Sequence, residues 1–391
     1  MSLKEERGYR PDELSPGAPI FSWPIKIGAA LKWFFGVPGY LLPWHVLFFG
    51  IAVLLWKFHF PPSLDAGRPS LAWVFALLGS HLVVLVLFVG AWHLHLYVRR
   101  AQQTNYKYDS RWQFVDDGAF LFRTQSWDNI FWNVFSAVPI WTIYAALTLW
   151  LQASGSVRTV HWQTNPSYCV VLTLVIPLWV DIHFYATHRL LHWSPLYKTV
   201  HKLHHRNVNP GPWSGLSMHP IEHVLYFSAV CLFWALPAHP LHTLYLLVYM
   251  ALGPSLAHQG FDRLVIGRRT FSTLHYMHYL HHRYFNANYG GGIVPIDKWV
   301  GTFYDGSEAG AETLRRLADT QFSRRGRCEY HSAELRPANE RRQTSGRAQV
   351  HGPQPTSSLD VRCDARLAAL QRSRVRRLPS RTLTMSAAAS Q

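Results

Sequence analysis

The sequence is poor in cysteine and in acidic residues. Its four cysteines form no CxxC pair and no spacing typical of a metal site, so no disulfide framework is predicted. Asp and Glu number 22 against 38 Lys and Arg, which gives a net charge of +16. Sixteen of the arginines lie in residues 312–391, which contain no lysine. The total charge therefore says little about the partners of the remaining chain, and no base-reading motif accompanies it that would indicate nucleic-acid binding.

Charged residues are missing from four long apolar runs. These runs are Phe34 to Trp56, Leu71 to Leu96, Ile130 to Val157 and Val160 to Val180. Because about 20 apolar residues cross a bilayer core, the sequence predicts an integral membrane protein with an all-α fold, a helical bundle. Two shorter runs, 224–236 and 241–256, are separated by Pro237 and Pro240. They predict a re-entrant or interfacial hairpin.

The runs and the charge pattern divide the chain into four predicted parts. These are a polar leader (1–33), transmembrane spans (34–180), a histidine-rich region (181–306) with the short membrane hairpin near 224–256, and a basic, disordered tail (307–391). The loop after the second of these spans is rich in Arg and Lys, which predicts a cytoplasmic position. Two further crossings then bring the histidine-rich region to the cytoplasmic side.

Histidine is abundant in one part of the chain. Of 23 histidines, 15 lie between His183 and His282. Three tight groups stand out: HRLLH at 188–192, HKLHH at 201–205 and HYLHH at 278–282. Spacings of three and four place imidazoles on one helix face. A single histidine is usually an ordinary core or surface residue, but this density predicts convergent helices that hold one or two metal ions.

The position of the histidines favours one kind of chemistry. Neutral imidazole binds iron, zinc and copper alike, so ligand type does not select the metal. A polar site directly beneath apolar spans can receive a lipid whose tail stays in the bilayer, and polar residues at a membrane boundary are usually functional. Oxidising an unactivated C–H bond needs a strong oxidant, so iron with O2 is favoured.

The three histidine groups, followed by FNANYGG (285–291) and DKWVGT (297–302), resemble the fatty acid hydroxylase and sterol desaturase superfamily over about residues 125–306. The resemblance implies a membrane enzyme with a cytosol-facing, non-haem di-iron centre that uses O2 and two electrons to hydroxylate or desaturate a lipid. It also implies eight catalytic iron ligands: His188, His192, His201, His204, His205, His278, His281 and His282. Family members use further histidines, and the HPIE and His-x-Gly patterns make His219 and His258 additional metal candidates.

Other residues near the groups have predicted supporting roles. His183 is interpreted as structural or supporting, whereas His223 and His275 could be either ligands or supporting residues. Metal-bound imidazoles donate their second N–H to an acceptor, and the carboxylates close enough in sequence are those of Asp181, Glu222, Asp262 and Asp297. Asp181 is favoured because it lies at the end of a span, and Asp297 could equally be a turn residue. The segment from Asn288 to Gly290 is expected to shape the approach to the metals, and Gly290 to Gly292 to permit close passage of the backbone.

The sequence leaves the partners and two alternative functions open. It contains no GxGxxG nucleotide motif and no HPGG segment, so a separate donor (cytochrome b5, ferredoxin or a reductase) is expected to supply electrons. The lipid could be a sterol, fatty acyl or sphingoid type, and the membrane the bacterial inner membrane or the endoplasmic reticulum. A metal transporter would need charged residues inside the spans. A zinc-dependent hydrolase would need about three ligands.

Overall fold

The computed structural model describes residues 8–11, 17–59, 70–273, 275–307, 309–310 and 312–317. The chain divides into two units, residues 1–303 and 304–391. The first unit is mostly helical, which confirms the predicted fold class. In the second, residues 312–317 are helical, and most of the predicted tail lies outside the described residues.

The helices and strands of the first unit follow in chain order. The helices are α1 (Ile27–Phe35), α2 (Trp44–His59), α3 (Leu71–His93), α4 (Gln125–Trp132), α5 (Val138–Ala153), α6 (Pro166–Leu191), α7 (Ser194–Leu196), α8 (Lys202–His205), α9 (Pro220–Phe227), α10 (Leu232–Ala235), α11 (Pro240–Ala257), α12 (Tyr276–Tyr284) and α13 (Ile296–Trp299). The strands β1 (Arg263–Ile266) and β2 (Arg269–Ser272) pair antiparallel as a hairpin. Short 3-10 turns occur at Pro19–Phe21, Pro212–Leu216 and Ser228–Cys231, and π turns at Leu94–Val98, Asn133–Ala137 and Tyr197–His201.

Four helical stretches of the described chain are long and apolar enough to cross a membrane. They are Leu71–Val98, Gln125–Ala153, Pro166–Leu191 and Pro240–Ala257. The first three correspond to the predicted runs at 71–96, 130–157 and 160–180. The fourth is the second arm of the predicted hairpin, and the helix is longer than the apolar run 241–256. Pro240 begins this helix, at a position where the missing N–H of proline costs nothing.

The predicted run from Phe34 to Trp56 is not one helix. The helix α1 ends at Phe35 and α2 begins only at Trp44. Pro38 and Pro43 lie between them, and proline cannot supply the N–H that a helix interior requires. Hydropathy alone could not show this break, because the intervening residues are themselves apolar.

The core lies around α11, which packs against α2, α3, α5 and α6. This helix is buried on most of its faces, as expected for a helix that is apolar all round. Its last residue, Ala257, is followed directly by His258. The helix α6 likewise brings His188 to its last turn. Two central helices thus end beside histidines of the predicted metal site.

The helix α6 continues well past the predicted end of its apolar run at Val180. It extends to Leu191 and therefore carries the first histidine group on the same helix as a candidate span. Asp181 is buried within it, and its Oδ2 accepts a hydrogen bond from the Val294 N–H at 2.6 Å. This hydrogen bond to the backbone of a loop offsets the cost of burying the Asp181 carboxylate.

Candidate metal centre

Five histidines from all three sequence groups form one cluster. One potential ligand nitrogen from each lies within 4.8 Å of the others, and the members are His188, His192, His201, His205 and His281. In the first two groups the paired residues are four apart, so one helical turn brings their rings together. The third group, on α12, contributes one ring. We call this set the five-histidine cluster.

Four further histidines form a second cluster with the same spacing limit. They are His204, His258, His278 and His282. His278 and His282 are one turn apart on α12, and His258 follows α11. We call this set the four-histidine cluster.

Consecutive histidines belong to different clusters. His204 and His205 have ring centroids 5.7 Å apart, and those of His281 and His282 are 5.9 Å apart. Because neighbouring side chains on a helix point about 100° apart, each HH pair supplies one ring to each cluster. The two clusters therefore lie side by side, with α8 and α12 shared between them.

Hydrogen bonds fix the orientation of five of the rings. The Nδ1–H groups of His188 and His281 donate to the carbonyls of Tyr289 and Ala287, each at 2.7 Å. His258 donates to Pro254 O at 2.7 Å, and His204 to Ser217 O at 3.3 Å. His201 donates to Glu222 Oε1 at 2.8 Å. With the proton on Nδ1, each Nε2 presents a lone pair.

The Nε2 atoms within each cluster converge at distances that fit metal coordination. In the five-histidine cluster, the Nε2 atoms of His188 and His201 are 3.1 Å apart, and those of His205 and His281 are 3.2 Å apart. In the four-histidine cluster, His258 Nε2 is 2.9 Å from that of His282. Two nitrogens at about 2.1 Å from one ion and at right angles lie about 3.0 Å apart. The donor set of each cluster therefore fits a nitrogen-ligated metal ion.

The electrostatics keep the rings neutral, as metal ligands must be. Burial lowers the pKa of His201 to about 3 and that of His258 to about 4. For His192, burial lowers the pKa first, and the neighbouring rings of the cluster lower it further. Burial also raises the pKa of Glu222, whereas a cation bound by His201 would favour the charged carboxylate.

Aromatic side chains cover the five-histidine cluster. The Tyr289 ring is fully buried and its centroid is 4.8 Å from that of His192. The exposed Arg189 places its guanidinium 4.4 Å from the centre of the Tyr289 ring. Phe285 lies 4.8 Å from His205 between ring centroids. This shell limits the access of water to the rings.

Comparison with known proteins finds a match in the region that contains the two clusters. Residues 173–302 match the family model described as fatty acid hydroxylase. The histidine-rich region is therefore similar to the fatty acid hydroxylase family. The matched residues contain both clusters, and they include α6 from residue 173 onward and all of α12.

The matched region is also similar to curated sterol desaturases. A Delta(7)-sterol 5(6)-desaturase of Gibberella zeae is 31% identical over 140 residues, which cover 35% of the chain and 42% of the relative. The like-named proteins of Aspergillus fumigatus and Saccharomyces cerevisiae are 27% and 30% identical, and the matches cover 48% and 32% of the chain and 56% and 33% of the relatives. The chain thus spans about half or less of these relatives. No solved structure matches it significantly.

Nine of the ten predicted metal-binding residues lie in the two clusters. The exception is His219, which lies in neither. It occupies the N-cap of α9, where its Nδ1 accepts a hydrogen bond from the Ile221 N–H at 3.2 Å. The HPIE stretch, which made His219 a metal candidate, is therefore the capped start of a helix in this structure.

The histidines outside the clusters make other contacts. His183 Nε2 lies 3.0 Å from Ser228 Oγ, consistent with its structural interpretation. His223 is buried between Ser136 Oγ and the carbonyl of Leu216, at 2.9 and 3.1 Å. His275 is the N-cap residue of α12. None of these three belongs to either cluster.

Of the four acidic candidates, Glu222 contacts a cluster histidine. Asp181, which the sequence favoured, instead binds the backbone of the loop that follows the third histidine group. Asp297 binds the same loop at Tyr289 and Gly290. The Asp262 carboxylate accepts from the Tyr108 hydroxyl at 3.2 Å. Sequence distance from the histidines could not separate these four roles.

Glycine provides the predicted close passage of that loop. A Cβ atom at Gly291 would collide with the Asp181 carboxylate, and one at Gly290 would lie 3.1 Å from Asp297 Oδ2. Gly292 has φ +97°, a backbone conformation that favours glycine. The expectation of close backbone passage is met at Gly290 and Gly291, whereas a Cβ atom at Gly292 would meet nothing within 4 Å.

Proposed function

We propose that this protein is a membrane-bound, non-haem di-iron oxygenase that hydroxylates or desaturates a lipid. The observation that carries the proposal is the pair of adjacent histidine clusters at the ends of apolar helices. Nine neutral imidazoles exceed the about three ligands that a hydrolytic zinc site uses. The family match supports an oxidoreductase that acts on lipids.

Two bound iron ions would supply the activation of O2. The reaction takes up one O2, two electrons and two protons. A hydroxylation inserts one oxygen atom into a C–H bond and releases one water, and a desaturation removes two hydrogens and releases two waters. The chain's own residues hold the metal ligands in place, and the buried aromatic rings of Tyr289 and Phe285 exclude water from the five-histidine cluster.

The surroundings of the clusters support a substrate that comes from the bilayer. Val171, Val175 and Ile182 are exposed along α6 and would face lipid tails in a membrane. Directly beside the first histidine group, Leu190 and Trp193 have exposed fractions of 48% and 62%. An apolar surface therefore continues from the candidate span to the metal centre. The names of the relatives make sterols the first substrate class to test.

We place the metal centre on the cytoplasmic side of the membrane. The positive-inside rule supports this, because Arg99, Arg100 and Arg111 are exposed in the loop that follows α3. The proposal includes a separate electron donor, a cytochrome b5, ferredoxin or reductase. The membrane is the endoplasmic reticulum or a bacterial inner membrane.

The experiment is lipid-dependent O2 uptake by the full-length chain. The protein is reconstituted with iron(II) in lipid nanodiscs that contain a sterol, and an electron-donor system is added. We expect O2 consumption that depends on the sterol, with a product that has gained one oxygen or lost two hydrogens by mass spectrometry. A variant with one substitution in each cluster, His204→Ala with His281→Ala, should abolish both signals.

The matched control is His239→Asn, a histidine outside both clusters that caps α11. It should retain O2 uptake and product formation. A folded wild-type protein that binds tight zinc but no iron, and that consumes no O2 with sterol, fatty acyl or sphingoid lipids, would contradict the proposal and favour the hydrolase or transporter alternatives.

A further inference from the structure

A single loop orients two ligands of the five-histidine cluster. The loop, residues 285–290, follows α12 and supplies the carbonyls of Ala287 and Tyr289. These accept the Nδ1–H groups of His281 and His188, each at 2.7 Å. The two histidines come from different sequence groups and different helices. The position of one loop therefore sets the direction of two of the five lone pairs.

The four-histidine cluster has different supports. His258 donates to the carbonyl of Pro254 within α11, and His204 donates to that of Ser217. Neither acceptor lies in the 285–290 loop. Among the described residues, the hydrogen bonds between this loop and cluster histidines therefore involve the five-histidine cluster.

Asp297 holds this loop in place through both carboxylate oxygens. Oδ1 accepts from the Tyr289 N–H at 3.0 Å, and Oδ2 accepts from the Gly290 N–H at 2.7 Å. The Thr302 hydroxyl donates to Oδ1 at 2.6 Å. Thr302 also binds the loop directly, because its carbonyl accepts the Asn288 N–H at 2.9 Å. We call Asp297 and Thr302 the loop clamp.

The loop needs such a clamp because its backbone is locally unfavourable. Phe285 and Asn288 have φ values of +66° and +58°, in the left-handed region that most residues avoid. Asp181 supports the other end of the segment by accepting the Val294 N–H at 2.6 Å. Asp181 lies on α6, two turns before His188, so the segment binds the ligand-bearing helix at two levels.

We propose that Asp297 is a positioning residue for one metal of the two. It acts through the carbonyls of Tyr289 and Ala287 to aim His188 and His281, and so it raises the metal affinity of the five-histidine cluster selectively. This inference rests on the proposed function, since it assumes that each cluster binds an ion. Loss of partners that orient metal ligands typically lowers metal affinity by about 10- to 100-fold.

The test is titration of metal-free, full-length protein with cobalt(II), followed by visible absorption and by the cobalt bound per chain. The wild-type protein should bind in two steps. Asp297→Asn keeps the size of the side chain but replaces one acceptor oxygen with a donor amide. We expect one of the two steps to weaken by about 10-fold or more and the other to remain unchanged.

A milder variant and a matched control sharpen the test. Thr302→Val removes the hydroxyl donor of the clamp and should weaken the same step by less, whereas Thr302→Ser should restore it. Asp262→Asn alters another buried carboxylate, one that accepts from the Tyr108 hydroxyl and pairs with Arg263. This control should leave both steps at their wild-type affinities.

Two results would overturn the inference. The first is an Asp297→Asn variant that binds cobalt in two steps with wild-type affinities. The second is that, in both Asp297→Asn and Thr302→Val, the two binding steps lose affinity to the same extent. A wild-type protein that binds no cobalt and no iron would instead overturn the proposed function. The two failures are therefore distinguishable.

Discussion

At the scale of single residues, the site depends on what holds each imidazole. Five of the nine clustered histidines have an Nδ1–H bonded to an oxygen, which leaves Nε2 to bind metal. Four of these acceptors are backbone carbonyls, and the fifth is the buried Glu222. A carboxylate raises the basicity of the imidazole more than a carbonyl does. Among these acceptors, removal of the Glu222 carboxylate should therefore lower metal affinity the most.

Glu222→Gln should weaken metal binding at the five-histidine cluster by about 10- to 100-fold. The amide can still accept from His201 Nδ1 but carries no charge. Retained iron after dialysis against a chelator measures the effect. An equal loss from His201→Ala would show that the carboxylate is essential to this ligand, and full retention in Glu222→Gln would contradict the role.

His219→Ala should leave the metal content unchanged. Its ring caps α9 and lies in neither cluster, so its loss should lower the free energy of unfolding by about 1 kcal/mol, as is typical for an N-cap. Metal analysis and thermal unfolding of the same sample check both parts. Loss of one metal ion from the folded variant would restore His219 to the ligands that the sequence predicted.

The residue types of the site could be predicted from sequence, but their partners could not. The family resemblance carried by the three histidine groups implied eight of the clustered residues, and it made His258 a further candidate through the His-x-Gly pattern. The orienting carbonyls carry no side-chain signal, because every residue type has a backbone carbonyl. The sequence favoured Asp181 over Glu222 because Asp181 lies at the end of a span, but in the structure Asp181 accepts the Val294 N–H and Glu222 accepts from His201.

At the scale of elements, α8 and α12 each serve both clusters. Their HH pairs face two ways because successive residues on a helix differ by about 100° in direction. This geometry predicts which ligands act together. His205 and His281 belong to one cluster, and His204 and His282 belong to the other.

Paired substitutions should therefore follow cluster membership and not sequence adjacency. His204→Ala with His282→Ala should remove one metal ion, since both act at the four-histidine cluster. His281→Ala with His282→Ala, which are neighbours on α12, should remove both ions. The measurement is the number of iron ions bound per folded chain in each double variant at the same protein concentration. Identical losses from the two pairs would contradict the division into clusters.

Apolar runs located the spans but not the ends of their helices. The run before Asp181 stops where hydropathy falls, yet α6 continues to Leu191, and the buried Asp181 carboxylate accepts a hydrogen bond from the Val294 N–H. The opposite error occurs at residues 36–43, where the sequence stays apolar but the helix is interrupted. Helix continuity follows backbone hydrogen bonding, which hydropathy does not record.

At the scale of the whole molecule, burying so many histidines links stability to pH. In the folded, metal-free protein, burial holds the pKa of His201 near 3 and that of His258 near 4. A histidine of the unfolded chain has a pKa of about 6.5. Between these values the unfolded state binds more protons, so the free energy of unfolding falls as the pH falls.

The metal-free protein should thus lose thermal stability as the pH is lowered from about 7 to about 5. Bound metal should resist this loss, because it competes with protons for the same nitrogens. Thermal unfolding of the apo and metal-loaded forms across that range measures both effects. An apo protein whose Tm is constant or rises on acidification would contradict the neutral state of the buried rings.

The most direct test of the account is the metal content of the purified protein. Full-length chain is purified in detergent, loaded with iron(II) and analysed beside His204→Ala with His281→Ala, which alters each cluster once. We expect two iron ions per wild-type chain and almost none in the folded variant. Wild-type protein with no iron, or a double variant that keeps both ions, would contradict the assignment of these histidines as the metal centre.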